Sequence, residues 1–314
     1  MQNDGDGGAP IRLALVGIGK IARDQHIPAL RANALFELVA AVSRSGGIEN
    51  LPCFADIDDL LESGLEVDAV SLATPPQGRH AIAGAALDAG LHVMLEKPPA
   101  ATVSEVADLA ARARAAGLTL FTTWHSREAA SVDAARDWLV GKTLRSARID
   151  WREDIRVWHP GQDWILQPGG LGVFDPGINA LSIVTAILTD PLLLQSARLE
   201  FPANRQAPIA AQLSLRSGEA PVEAAFDFLQ TGPQSWEIAL ETDSGRLVLS
   251  DGGQRLAIDG AEVSAGANEE YPRLYRRFAS LVRESARDVD LAPLQLVADA
   301  FLLGERVEAS PFSF

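Results

Sequence analysis

The sequence predicts an α/β protein in two parts. A doubly wound parallel sheet is expected over residues 1–125, and an α/β domain with a large open, mostly antiparallel sheet over residues 126–314. Three observations support this. Strand and helix patterns alternate as far as Thr123. The strand-like runs there, such as Ala69-Val70-Ser71-Leu72-Ala73, are almost continuously apolar, as burial under helices on both faces requires. Beyond residue 140 the texture changes to short, often alternating strands separated by Gly, Pro and Asp turns, which fits a sheet with one face exposed.

In chain order, the first part reads as strands at 11–16, 37–42, 67–73, 92–95 and 118–122, with helices at 20–31, 79–89 and 103–116. A helix over 127–139 opens the second part. Strands follow at 147–151, 211–215, 222–228, 236–241 and 246–249, then two closing helices at 271–284 and 293–307. The last helix is apolar enough to pack back on the first domain. The polar, Gly-rich residues 1–9 read as disordered.

Composition narrows the function. With 314 residues, 47% of them hydrophobic, the chain can bury two cores. No run is long enough to span a bilayer, and the acidic start is unlike a secretory leader, so a cytoplasmic protein is expected. A formal net charge of -15 opposes binding to nucleic acid or anionic membrane. The lone Cys53 can form neither an internal disulfide nor a zinc site, and reads as a small buried hydrophobe. A small-molecule partner is expected, with no metal; the open sheet face would serve self-association.

The first chemical signal is Gly17-Ile18-Gly19-Lys20-Ile21-Ala22, placed between the first strand and the first helix. In that setting the G-x-G-x-x-A pattern marks a Rossmann dinucleotide site. Gly17 permits the tight turn, Gly19 lets backbone approach the pyrophosphate, and Ala22 allows close helix packing. About 20 residues on, where NAD-binding proteins carry an acidic residue for the ribose, stand Ser43 and Arg44. A guanidinium suits a 2′-phosphate, so NADP is expected ahead of NAD.

Two further signals lie at later strand ends, where doubly wound sheets bind ligands. Thr74, Pro75 and Pro76 end one strand, and Glu96, Lys97 and Pro98 end the next, aiming Lys97 at the crevice. Downstream, Gly169, Gly170 and Gly172 lead into a helix carrying Asp175 and Asn179, whose spacing puts both on one face. Asp175 also reads as an ordinary helix N-cap followed by Pro176 at the first helical position.

In this order, the glycine motif, Glu96-Lys97-Pro98 and the loop to Asp175 make the sequence resemble the Gfo/Idh/MocA oxidoreductases over nearly its whole length. Residues 16–25, 93–99 and 169–184, Trp124-His125-Ser126-Arg127 and Trp158-His159-Pro160-Gly161-Gln162 resemble the branch of that family that oxidises sugars at C1. The resemblance implies hydride transfer from an aldopyranose (L-arabinose, D-galactose or D-fucose) to a nicotinamide, giving the aldonolactone. It implies catalytic roles for Lys97, Asp175 and Asn179, and sugar contacts from Glu153, Trp158, His159, His125 and Trp164. The cofactor site so read comprises Gly17, Gly19, Lys20, Ile21, Ser43, Arg44, Thr74, Pro75, Pro76, His80, Glu96 and Lys97.

Many family members carry a proton-transferring His where this chain has Asn179, which cannot take a proton at neutral pH. The sugar-oxidising branch also has Asn there. Proton acceptance would then fall to Asp175 or to a relay centred on Lys97. The alternatives are a dinucleotide-dependent sensor or corepressor on the same scaffold, or a dehydrogenase for another polyol such as inositol.

Overall fold

The computed structural model describes residues 8–314, so most of the stretch expected to be disordered lies outside the described residues. The first sheet is built from β1 (Ile11–Val16), β2 (Phe36–Val42), β3 (Cys53–Phe54), β4 (Ala69–Leu72), β5 (His92–Leu95) and β6 (Leu120–Thr122), all parallel, in the order β3-β2-β1-β4-β5-β6. That is the doubly wound order, whose switch point falls between β1 and β4. A wide helical turn, Ala22–His26, runs into α1 (Ile27–Arg31); α2 (Ile57–Glu62), α3 (Arg79–Asp88) and α4 (Val103–Ala116) are the other helices of this half. All four residues of β4 are buried, as the unbroken apolar run requires. α4 shows why its limits are legible: Thr102 and Glu105 form a reciprocal capping box, and Gly117 ends the helix at φ 69°.

The second half contains α5 (Val132–Leu139), β7 (Leu144–Arg152), α6 (Ile155–Trp158), α7 (Phe174–Ile187), β8 (Leu192–Pro202), β9 (Ala210–Ser217), β10 (Ala220–Asp227), β11 (Ser235–Thr242), β12 (Gly245–Ser250), β13 (Arg255–Ile258), β14 (Ala261–Ala265), α8 (Glu270–Glu284), α9 (Ala292–Leu303) and β15 (Glu305–Ala309). Its nine strands form one sheet, β14-β13-β12-β11-β7-β10-β9-β8-β15, antiparallel except at β7/β10 and β8/β15. Burial alternates along β9 and β10, so one face packs under α7 and α9 while the other stays open.

Several expectations change. The closing helix stops at Leu303, and residues 305–309 pair with β8 as a polar edge strand. Gly304 leaves the helix with extended backbone; a Cβ there would meet the Ala300 carbonyl oxygen at 2.4 Å. The helix that packs back on the first domain is chiefly α8: Tyr271, Leu274, Tyr275 and Phe278 join the core formed with Leu13, Ala29 and Phe36, whereas α9 lies mainly against α7 and β8. The helix expected from residue 127 begins at Val132; residues His125–Glu128 instead form a 3-10 turn packed against α7 and α8, and the Ser131 hydroxyl donates to the Gln254 carbonyl. Cys53 is exposed rather than buried, on the edge strand β3.

Candidate active site

Ladder hydrogen bonds run one residue past the strands: Gly17 N to Val42 O, Ala73 N to Val16 O, Glu96 N to Leu72 O and Thr123 N to Leu95 O. These residues therefore stand together at the carboxyl edge, beside the switch point. Gly17 has φ 90°, and a Cβ on it would sit 2.8 Å from the Thr74 nitrogen, so only glycine fits. Gly19 meets nothing within 4 Å: its surface is open. The adjacent Thr74 hydroxyl is buried without a hydrogen-bond partner. An open glycine beside an unsatisfied buried hydroxyl is the cradle that a dinucleotide backbone would fill. Lys20 and Ile21 are exposed at its rim, Lys20 pairing with Asp24; Pro75 is exposed and Pro76 buried.

Ser43 and Arg44 follow β2. Arg44 is exposed, and Ser43 Oγ accepts from the Ser45 nitrogen. A second guanidinium stands there too: Arg23 Nη2 lies 3.3 Å from where a Cβ of Gly46 would be. Sequence reading missed Arg23 because no local pattern ties a residue of the first helical turn to the loop after β2, 23 positions on at Gly46.

The Glu96 carboxylate does not face the crevice. It is 3% exposed and turned under the sheet, where it accepts from the Tyr271 hydroxyl and the Lys97 nitrogen, with His26 Nε2 at 3.5 Å. Burial alone would raise its pKa, but the neighbouring His26 and His125 imidazoles and the Tyr271 hydroxyl hold it down to about 2. Its side chain is therefore not presented to the crevice where a cofactor contact was expected. Burial and the neighbouring Glu96 charge push the Tyr271 phenol well above its ordinary value.

Lys97 points the other way. Its Nζ donates to the Asp175 carbonyl oxygen at 2.8 Å and lies 3.2 Å from Asp175 Oδ2, with both side chains largely buried. Asp175 reaches this place because the glycine-rich loop is tightly folded. A Cβ on Gly170 would fall 2.2 Å from the Trp164 carbonyl oxygen, and one on Gly172 would fall 2.2 Å from that of Pro208. The helix begins two residues earlier than an Asp175 cap would require: Val173 is the cap, and Asp175 lies inside the first turn. The N-cap explanation for Asp175 therefore fails, leaving its carboxylate available to Lys97. Asn179, one turn along α7, is half-buried on the same face.

Facing them, His159 Nε2 stands 3.1 Å from Glu153 Oε1 and 3.9 Å from Asp175 Oδ2. Glu153 is 2% exposed, and its Oε2 accepts from Trp236 Nε1 at 2.9 Å. Trp236 packs against Trp151 and, with ring centroids 4.7 Å apart, against the exposed Trp158. The register of β11 against β7 makes this wall: Trp236 pairs with Trp151, and Glu153 follows directly after β7. Trp236 was absent from the sequence reading, since an alternating strand tryptophan looks like any core residue.

Two expected contributors stand apart. His80 is held by Asp108 on α4 at 2.8 Å. Trp164 is half-buried, its carbonyl accepting the Gln77 amide at 3.3 Å across the two halves. His125 lies beneath the cluster, stacked on Tyr271, with Nδ1 2.6 Å from Glu270 Oε2. Burial lowers its pKa, but the charge and hydrogen bond of Glu270 outweigh this and raise it overall.

An ammonium, two carboxylates and an imidazole thus meet at a strand-end crevice, beside exposed aromatic faces and a dinucleotide cradle. Among the described residues no helix is long and apolar enough to cross a membrane. Residues 11–123 match the oxidoreductase family described by its NAD-binding Rossmann fold. The chain is 46% identical to galactose 1-dehydrogenase of Pseudomonas fluorescens, over 96% of this chain and 99% of that protein. It superposes on the crystal structure of D-galactose-1-dehydrogenase from Rhizobium etli with a TM-score of 0.94 at 53% identity, covering 98% of this chain and 99% of the other. A 3-ketoreductase from Actinomadura kijaniata, solved with TDP-benzene and NADP, shares the fold at 21% identity with a TM-score of 0.82. Order of strands, motifs at the strand ends and near-full-length likeness agree: the chain belongs to the Gfo/Idh/MocA oxidoreductase family.

Proposed function

We infer that this protein is a nicotinamide-dependent sugar 1-dehydrogenase that oxidises a galactose-configured aldopyranose at C1 to the aldonolactone. The observation that carries this reading is the meeting of Lys97 with Asp175, with the His159 and Glu153 pair alongside and the Trp158 and Trp236 rings as a wall. It is supported by the likeness to galactose 1-dehydrogenases over almost the full chain.

Residues Gly17, Gly19 and Thr74 would hold the dinucleotide, and when bound it supplies the hydride acceptor. Oxidation at C1 removes the O1 proton and the C1 hydrogen with its electron pair, leaving the lactone carbonyl. Lys97 and Asn179 orient O1 by donating to it, and the Asp175 carboxylate accepts the proton. His159, 3.9 Å from Asp175 Oδ2 and hydrogen-bonded to Glu153, offers that proton an onward route. The indole faces cover apolar C–H patches of a pyranose while Glu153 and His159 engage its hydroxyls. NADP is the preferred acceptor in this reading, with the exposed Arg44 and neighbouring Arg23 around the loop that follows β2 as the reason.

The test is initial rates of reduced-cofactor formation for L-arabinose, D-galactose, D-fucose, D-xylose, D-glucose and myo-inositol, with NAD+ and NADP+ in parallel. Turnover confined to the first three sugars supports the reading. Measurable cofactor binding with no turnover on any of them would overturn it in favour of a sensor.

A further inference from the structure

Arg79 is the first residue of α3, a place where a cation opposes the helix dipole, and it is only 2% exposed. Neither condition favours an arginine, so its retention there requires specific partners. They are three backbone carbonyls: that of Thr74 after β4, and those of Glu96 and Pro98, the residues on either side of Lys97. Among the described residues no acidic side chain hydrogen-bonds the guanidinium, and its Nε is buried without a partner. Burial draws its pKa down to about 10 against the opposing influence of Glu96 and Asp175. Arginine is suited to this geometry, because its rigid planar fork holds its donors in a fixed arrangement toward the three carbonyls, whereas an ammonium on a flexible stem does not pre-set them.

We propose that Arg79 is a positioning residue for Lys97: by gripping the carbonyls before and after that lysine and tying them to the end of β4, it sets where the ammonium meets Asp175. Arg79 touches neither substrate nor cofactor in this role. It acts through Lys97, joining the Thr74 strand end, at the dinucleotide cradle, to the strand end that carries the catalytic lysine. The catalytic meaning rests on the dehydrogenase reading above; the placement of Lys97 does not.

The experiment compares full-length Arg79→Met and Arg79→Lys with Leu87→Ala, which weakens the buried face of α3 without touching the Lys97 loop. Two quantities are read. The first is brief acetic anhydride labelling of Lys97, quantified by peptide mass spectrometry against Lys20 and Lys142, the other lysines of the chain. The second is kcat and KM on D-galactose.

Arg79→Met should release Lys97, raising its relative labelling severalfold, and should lower kcat about a hundredfold while KM moves far less. Arg79→Lys should fall between it and wild type in both readings, and carries the test alone if the methionine variant does not fold. Leu87→Ala should lose thermal stability with labelling and kcat unchanged. Unaltered Lys97 labelling in both Arg79 variants, or an equal fall in kcat in Leu87→Ala, would overturn the proposal. Raised labelling in a protein whose wild type oxidises no sugar would uphold the positioning role while removing the dehydrogenase reading.

Discussion

Lys97 Nζ and Asp175 Oδ2 stand 3.2 Å apart although one residue ends a strand of the parallel sheet and the other opens a helix of the second half, 78 positions later. The catalytic reading depends on that junction.

Asp175→Asn keeps the shape of the side chain but removes its capacity to hold a proton. It should lower kcat by about 10²–10⁴-fold, the usual contribution of a positioned base, with dinucleotide affinity unchanged. Initial rates and a fluorescence titration of the cofactor measure the two quantities. A kcat near wild type would take Asp175 out of the proton route.

Trp236→Phe preserves an aromatic wall and deletes the N–H that binds Glu153. A hydrogen bond to a buried charge contributes about 1.5–3 kcal/mol, so KM for the sugar should rise about tenfold or more if Glu153 binds hydroxyls. Sugar saturation curves decide this; an unchanged KM would assign Glu153 a purely structural part.

Gly19→Ala and Gly170→Ala should part company. Nothing lies within 4 Å of a Cβ at Gly19, so that variant should keep its Tm and lose dinucleotide affinity. A Cβ at Gly170 would collide with the Trp164 carbonyl oxygen, costing about 1–3 kcal/mol of stability and shifting the loop that delivers Asp175. Thermal melts with and without NADP+ separate the two. A large loss of Tm in Gly19→Ala would mean that the glycine serves the fold instead of the cofactor.

The pairing of His125 with Glu270 predicts a pH dependence of stability. Its folded pKa is raised above the ordinary 6.5, so the pair's contribution is complete below about pH 6.5 and is lost as pH rises through the folded value. Denaturant midpoints of wild type and Glu270→Gln should therefore differ most at the acid end of a pH 6–9 series and converge as pH rises. A gap that widens with pH would contradict the pairing.

Arg44→Ala should lower the ratio of kcat/KM for NADP+ to that for NAD+ by about tenfold or more, the value of one charge-assisted hydrogen bond to a phosphate. Parallel rates with both cofactors measure it. An unaltered ratio would shift the cofactor discrimination to Arg23 or away from this loop.

Local signals made much of this molecule legible. Buried parallel strands had to be continuous apolar runs, so β1, β4 and β5 stood out; the helix read over 103–116 matches α4, whose start the structure seals with the capping box of Thr102 and Glu105. Residues 47–66, with the two-residue β3 and short α2, escaped because neither is long enough to show a period. β8 and β13 to β15 escaped because strands at and next to the two sheet edges carry mixed polarity and are made strands by their neighbours. Lys97, Asp175, Glu153 and His159, singled out by motif and resemblance, are brought together by the fold. Trp236 and Arg79 were not singled out, since their parts depend on whose atoms they meet.

The sequence by itself determined the doubly wound half, the glycine turn at Gly17 and Gly19, and the family, because these rest on periodicity, on glycine's backbone freedom and on motifs in order. Only the tertiary structure decided which way charges face. It turned Glu96 inward to Tyr271, gave Lys97 to Asp175, set His80 against α4 and placed α8, ahead of α9, over the first sheet. The reason is physical: periodicity reports burial, whereas hydrogen-bond partners and the direction of a side chain at a strand end are fixed by packing between segments far apart in the chain.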